Sequence, residues 1–178
     1  LLAKRRKDGL AETTLRKKAR LIGMAKADFG NRPIADITAA EILATLRKPE
    51  AAGNFETAKR LRTAIGEVFR YAVATARAEL DPTQSLRGAL VAPKVQHYAA
   101  ATTKDDFSRV VKAVWAYDSG GPVIQSAPKL LVLLYPRPGE LRLSHWDEFD
   151  LAAGIWTRPA ERMKMRREHK KPLPPCAI

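Results

Sequence analysis

The sequence predicts a mainly α-helical chain: a small helical domain over residues 1–92, a linker over 93–103, and the start of an α+β domain over 104–178 with a small antiparallel sheet. Three observations predict it. Apolar residues recur at three- and four-residue steps through most of the chain up to Leu134, as in helices that bury one face. Short runs of strand composition separated by turn residues come only after that point. Between the helical domain and the rest, Val91 to Thr103 carries Pro93 and an alanine-rich stretch, which reads as a linker. A hydrophobic content of 46% over 178 residues suffices for one large or two small cores.

Taken in order, Lys4-Arg5-Arg6-Lys7 is a basic run expected to be a solvated, mobile end that attracts phosphate; with no methionine before it, the chain is expected to begin in mid-protein. From Glu12 to Phe29, Leu15, Ala19, Ile22, Ala25 and Phe29 mark an amphipathic helix ended by Gly30. Thr38 caps a second helix, with Glu41 in the capping-box position, running to about Lys48 before Pro49. The third and longest helix runs from Asn54 to about Arg77, its apolar face formed by Ala58, Leu61, Ile65, Val68, Phe69, Ala72 and Ala76. Lys59, Arg62, Arg70 and Arg77 fall within a sector of about 80° beside that face, a basic stripe whose stems can pack while the charged ends reach phosphates. A short helical piece follows Asp81-Pro82.

Past the linker, Thr103 caps a helix with Phe107, Val110, Val111, Val114 and Trp115 as its core face. Ser119-Gly120-Gly121-Pro122 is a turn; no Gly-Lys-Ser/Thr follows, so it is not a nucleotide loop. Leu130 to Leu134 is uninterrupted apolar and expected to be buried. Phe149-Asp150-Leu151, Ile155-Trp156-Thr157 and the segment from Arg162 onward read as strands, with turns at Ala153-Gly154 and Pro159-Ala160. Alternation would put Arg162, Lys164 and Arg166 on one face of the last strand and Met163 and Met165 on the other.

The most informative stretch is Leu134-Tyr135-Pro136-Arg137-Pro138-Gly139-Glu140-Leu141-Arg142. Pro136 forces a turn, Pro138 opens a new helix, and Glu140 falls in its first turn, where an acid suits the dipole. Arg137 is thereby expected at a bend beside free helix N–H groups, with Glu140 close enough to orient its guanidinium. An arginine so placed can hold a phosphate, or it can simply make a salt bridge at a helix start.

The charge balance points to a polyanionic partner without deciding between these uses of Arg137. The net charge is +13, with 19 basic against 10 acidic residues in the first hundred and 13 against 9 in the remainder, so a polyanion is the natural partner of either half. The single cysteine, Cys176, excludes an internal disulfide framework and fits a reducing cytoplasm. His97, His145 and His169 are scattered and form no zinc-binding pair. No apolar run approaches the roughly 18 residues that would span a bilayer.

The box Arg137-Pro138-Gly139-Glu140-Leu141-Arg142 resembles the first signature of the tyrosine recombinases, the phage-integrase family, and in particular the prophage-type integrases. The resemblance extends upstream to Phe55-Glu56-Thr57-Ala58-Lys59-Arg60-Leu61-Arg62 and Val68-Phe69-Arg70-Tyr71-Ala72. Downstream it takes in Trp146-Asp147-Glu148-Phe149-Asp150 and Ala160-Glu161-Arg162-Met163-Lys164-Met165-Arg166-Arg167-Glu168-His169. It implies a helical core-binding domain of SAM-like fold that clamps one face of duplex DNA, followed by the N-terminal part of the catalytic domain. It further implies site-specific cutting and rejoining of DNA through a 3′-phosphotyrosyl intermediate, which integrates or excises a mobile element and needs neither metal nor other cofactor, with no small-molecule substrate and no membrane. Carried over by position, Arg137 matches the first arginine, Glu140 its supporting acid and Lys164 the hairpin lysine that protonates the leaving oxygen; Lys59, Arg62, Arg70, Arg77, Arg162, Arg166 and Arg167 become candidate DNA contacts, and His169 matches a family position without an assigned role.

The chain departs from the family pattern in three places. Leu134-Tyr135-Pro136 is bulkier than the family's commoner Thr-Gly pair before the box, the arm-binding domain usual at the N-terminus is not present, and the sequence stops at Ile178, before the His-x-x-Arg box and the nucleophilic tyrosine. Tyr135 is not expected to be a substitute nucleophile: it is expected at the packed end of a helix, and the resemblance places the family's nucleophile near the far C-terminus. The expectation is a fragment or truncated product that binds duplex DNA without cutting it, the full-length protein acting as a tetramer on two duplexes. A non-catalytic DNA-binding remnant or accessory protein of a prophage remains the alternative, and a basic helical module for RNA a third reading.

Overall fold

In the computed structural model, residues 1–94, 98–163 and 165–178 are described, and the chain divides into two units, Leu1–His97 and Tyr98–Ile178. The first is helical: α1 (Leu2–Lys7), α2 (Glu12–Phe29), α3 (Ala39–Ala51) and α4 (Phe55–Ala74), followed by a 3-10 turn at Pro82–Gln84. The second holds α5 (Lys104–Trp115), α6 (Pro122–Leu134), α7 (Pro138–Arg142) and a sheet of β1 (Phe149–Asp150), β2 (Ile155–Arg158) and β3 (His169–Pro172). The sheet is antiparallel in the order β1-β2-β3.

The first core forms where the apolar stripes of α2, α3 and α4 converge. Ile42, Leu46, Leu61, Ile65 and Phe69 are buried there with Ala25, Ile37 and Leu86. Buried Thr45 of α3 donates to Asp28 Oδ2 of α2 at 2.7 Å, and Lys48 pairs with the other oxygen of the same carboxylate. Contrary to expectation, α3 runs past Pro49 to Ala51. A proline in the last turn removes only one helix hydrogen bond, and its fixed φ suits the helix. The basic run near the N-terminus is also more ordered than expected: nothing breaks a helix before Gly9, whose φ of 76° ends it, and Arg6 reaches Glu12 at 3.5 Å.

At the start of α3 the capping box forms as expected. Thr38 Oγ1 accepts from Glu41 N–H at 3.3 Å, and Glu41 Oε2 accepts from Thr38 N–H at 2.9 Å. The Thr38 backbone N–H, then its hydroxyl, then the Arg32 guanidinium hold the Glu41 carboxyl down at about 2, against an ordinary 4.5. A depressed carboxylate pKa stabilises above the ordinary value, and the contribution is lost as pH falls through the lowered one. Between pH 4.5 and about 2, therefore, the melting temperature of the wild type should fall more steeply than that of Glu41→Gln; equal slopes would contradict the capping role.

Helix α4 ends at Ala74, one turn earlier than expected. Ala76 takes φ 54° and Arg77 N–H turns back to Ala72 O at 2.8 Å, a Schellman-type stop that removes Ala76 and Arg77 from the helix faces. Gly66 seats the following turn against α4: a Cβ there would fall 2.6 Å from Thr83 Oγ1 and 2.9 Å from an Arg70 guanidinium nitrogen.

The second unit has a thinner core. Leu134, Trp156 and Leu173 are buried, with Leu130, Leu133, Leu141, Phe149 and Ala177 packed around them. Of the apolar run expected to be buried, only Leu134 is fully so, because a three-stranded sheet and a five-residue helix cover little of α6. Likewise Phe107, Val110 and Trp115 of α5 are 45–54% exposed, since α6 is its main neighbour in the unit. Among the described residues, no helix is long and apolar enough to cross a membrane and no group of side chains could hold a metal ion.

Candidate nucleic-acid interface

The bend before Arg137 is built by backbone geometry. Tyr135 closes α6 in the left-handed region at φ 50° and, contrary to the expected packing, is 84% exposed, and Pro138 opens α7 as its first residue. Arg137 is the cap residue between them. Its side chain is 65% exposed, while that of Glu140 is 11% exposed. Glu140 accepts from Arg137 Nη1 at 2.6 Å and from Arg137 N–H at 3.1 Å, so one carboxylate fixes both the guanidinium and the backbone that carries it.

The expected row of free helix N–H groups is not there. Helix α7 has five residues; Pro138 has no N–H, and Glu140 N–H and Leu141 N–H both turn back to Arg137 O, at 2.8 and 3.3 Å. The exposed positive group at this bend is the guanidinium, not a helix end.

A residue that sequence reasoning missed completes the cluster. Arg158 of β2, 7% exposed at its side chain, pairs with Glu140 from the protein side. Its Nη2 lies 2.7 Å from His169 Nδ1, and its guanidinium carbon lies 4.8 Å from the centre of the Trp156 ring. The signal was present in the sequence: Arg158 stands two residues after Trp156, so in a strand it must share the buried tryptophan's face. Burial is the largest single influence on Glu140 and pushes its pKa up. Hydrogen bonds from the Arg137 side chain and backbone, with the charges of Arg158 and Arg137, outweigh it and hold the carboxyl below its ordinary value. Tyr135, Arg137, Arg158, Arg167, His169 and Lys171 line one open cleft of 690 Å³ over this cluster.

The segment after Arg162 is not the strand that was expected. Pro159 starts a 3-10 turn over Ala160–Arg162, Arg166 takes φ 50°, and β3 begins only at His169, so Arg162 and Arg166 do not share a strand face. Lys164 lies outside the described residues. Arg162 instead pairs with Glu148, the same carboxylate that accepts from Trp156 Nε1 at 3.0 Å.

In the first unit, the basic stripe is divided by its partners. Lys59 is exposed on α4, and Arg77 lies beyond the end of the helix. Arg62 donates to Leu86 O at 3.0 Å, and Arg70 to Asp81 Oδ2 at 2.9 Å, so both tie α4 to the segment after it. Asp81 also accepts from Thr83 N–H and its hydroxyl.

The model of the Phage integrase central domain family matches residues 1–89. The integrase of Enterobacteria phage P4 is 32% identical over 157 residues, covering 82% of this chain and 35% of the relative. The prophage integrase IntZ of Escherichia coli (strain K12) is 39% identical over 151 residues, covering 84% and 36%. The chain thus spans a little over a third of the length of these relatives. Among solved structures, a lambda integrase tetramer bound to a Holliday junction matches with TM-score 0.73 at 22% identity, over 96% of this chain and 48% of that one. A lambda integrase dimer bound to a COC' core site matches with TM-score 0.72 at 22% identity, over 96% and 47%. At that identity the likeness is one of fold.

Proposed function

The chain belongs to the phage integrase family of tyrosine recombinases, and we propose on that footing that it is the DNA-binding part of a site-specific recombinase of a prophage. Its partner is duplex DNA, and a complete protein of this kind cuts and rejoins strands through a 3′-phosphotyrosyl link to integrate or excise a mobile element, with four copies on two duplexes. The lambda integrases of matching fold, bound to a core site and to a Holliday junction, support this choice of partner.

One observation carries the reading. An exposed guanidinium, Arg137, is held by a largely buried carboxylate, Glu140, at the mouth of a cleft with further cations on its walls. Were the pair only a surface salt bridge, it would contribute little to stability, and nothing would require its acid to be buried and shared with a second arginine. A fixed guanidinium fork is what a phosphodiester needs: two donors in plane and a charge to stabilise the one that develops on the phosphorane. In this assignment Arg137 grips the scissile phosphate, Glu140 positions it, and Lys164 protonates the leaving oxygen. Lys59, Arg62, Arg70, Arg77, Arg162, Arg166 and Arg167 supply contacts to the DNA backbone, Lys59 from an exposed position on α4 and Arg62 and Arg70 within their existing bonds.

The experiment is a binding titration of the whole chain with labelled duplex DNA, challenged with duplex RNA of the same sequence. DNA is expected to bind and to resist displacement by equal RNA; preference for RNA, or no binding at low salt, would refute the reading.

A further inference from the structure

Arg158 is an odd occupant for its site. Its side chain is 7% exposed, its Nε has no hydrogen-bond partner among the described residues, and an aliphatic residue could pack against Trp156 without desolvating a charge. A guanidinium in such a place stabilises the fold no better than a leucine would, so what it adds is orientation. Among the described residues, Arg158 has two polar partners, and they lie on different elements: Glu140 on α7 and His169 on β3.

The sheet explains the second contact. Arg158 and His169 are directly opposed across the β2–β3 pair, so their side chains leave the same face side by side. A guanidinium has donors and no acceptor. The nitrogen 2.7 Å from Arg158 Nη2, His169 Nδ1, must therefore accept, and the ring carries its proton on Nε2. His169 is exposed and lines the cleft that Arg137 also lines, so Nε2–H is the ring's one donor towards whatever enters.

We propose that Arg158 is a positioning residue that orients two groups at once, Glu140 behind Arg137 and His169 in its Nε2–H tautomer, so that His169 donates to the same phosphate as Arg137. The proposal rests on the phosphate-binding reading of this cleft and adds to it a neutral donor and the buried cation that sets it. Arg158 touches no phosphate itself.

The test uses the whole chain labelled with nitrogen-15 and long-range proton–nitrogen correlation of the histidine rings, with His169→Gln to assign the signals. His169 should show an unprotonated Nδ1 and a protonated Nε2. A proton on Nδ1 would overturn the proposal without any variant. In Arg158→Lys, a cation that reaches Glu140 but cannot also reach the ring, His169 should shift to a mixture of tautomers; an unchanged tautomer in the folded variant would show that Arg158 does not set it. Adding a short duplex DNA should then shift the wild-type His169 Nε2 signal. If the DNA binds and this signal stays fixed, the shared phosphate contact is refuted and the DNA reading stands. If no DNA binds, the DNA reading fails and takes the phosphate contact with it, while the tautomer result still decides whether Arg158 positions the ring.

Discussion

Replacing Trp156 by alanine is expected to unfold the second unit while leaving the first intact. Trp156 is fully buried, stacks on Phe149 with ring centres 5.0 Å apart at 14°, and has the Arg158 guanidinium carbon 4.8 Å from its ring centre. Truncating a buried tryptophan costs about 3–5 kcal/mol. A domain has only about 5–15 kcal/mol in total, and this unit, with three buried core residues among those described, is expected at the low end. The first unit has its own core around Leu46, Leu61 and Phe69 and shares none of these residues. Backbone amide spectra of Trp156→Ala should therefore keep the dispersed signals of residues up to about 94 and collapse those beyond Tyr98. Retention of both sets, with the melting temperature unchanged, would contradict the core assignment.

The second large effect is expected at Glu140. Alanine there removes the acceptor of Arg137 Nη1, of Arg137 N–H and of Arg158 at one stroke. Arg137 is exposed and finds water. Arg158 is not, and stranding one partner of a buried ion pair costs about 3–5 kcal/mol. Glu140→Ala should thus lower the stability of the second unit by that order, and Glu140→Gln, which keeps an acceptor, by less. Removing the second charge should repair the first: Glu140→Ala combined with Arg158→Leu is expected to recover much of the loss. A double variant as unstable as the sum of the singles would mean that the pair is not coupled. The pH dependence has a definite sign. The folded-state pKa of Glu140 lies below its ordinary 4.5, so the ionised carboxylate stabilises above that value and the contribution disappears as pH falls through the lowered one.

Much of this was legible in the sequence. The helices announced themselves through spacing and caps: Glu12–Phe29 came out at its observed bounds, and Thr38 and Thr103 cap as their side chains foretell. These signals are local, and local geometry decides them. What was misread depended on partners distant in sequence. The apolar faces of α5 and α6 predict burial, but how far they are covered depends on which elements pack on them. The end of α4 turned on an alanine taking φ 54°, a conformation that alanine's chemistry does not advertise. At the site, Arg137 and Glu140 were readable because they lie three residues apart on one turn. That Arg158 shares the buried face of Trp156 was readable from strand alternation, but its pairing with Glu140, 18 residues away, was not, since only the fold brings them together. The basic ribbon after Arg162 failed for a related reason: alternation was assumed through a segment that Pro159 bends into a turn and Arg166 breaks at positive φ.

The most direct test of the claim that Arg137 grips a DNA phosphate is the salt dependence of duplex binding by the wild type and by Arg137→Ala. For the wild type, log affinity should fall linearly and steeply with log salt, because each neutralised phosphate releases condensed counterions. For the variant the slope should be shallower by about 1, the loss of one phosphate contact, with the weakening uniform across DNA sequences. Identical slopes would place Arg137 away from the DNA backbone, and an affinity indifferent to salt in both proteins would contradict the account as a whole.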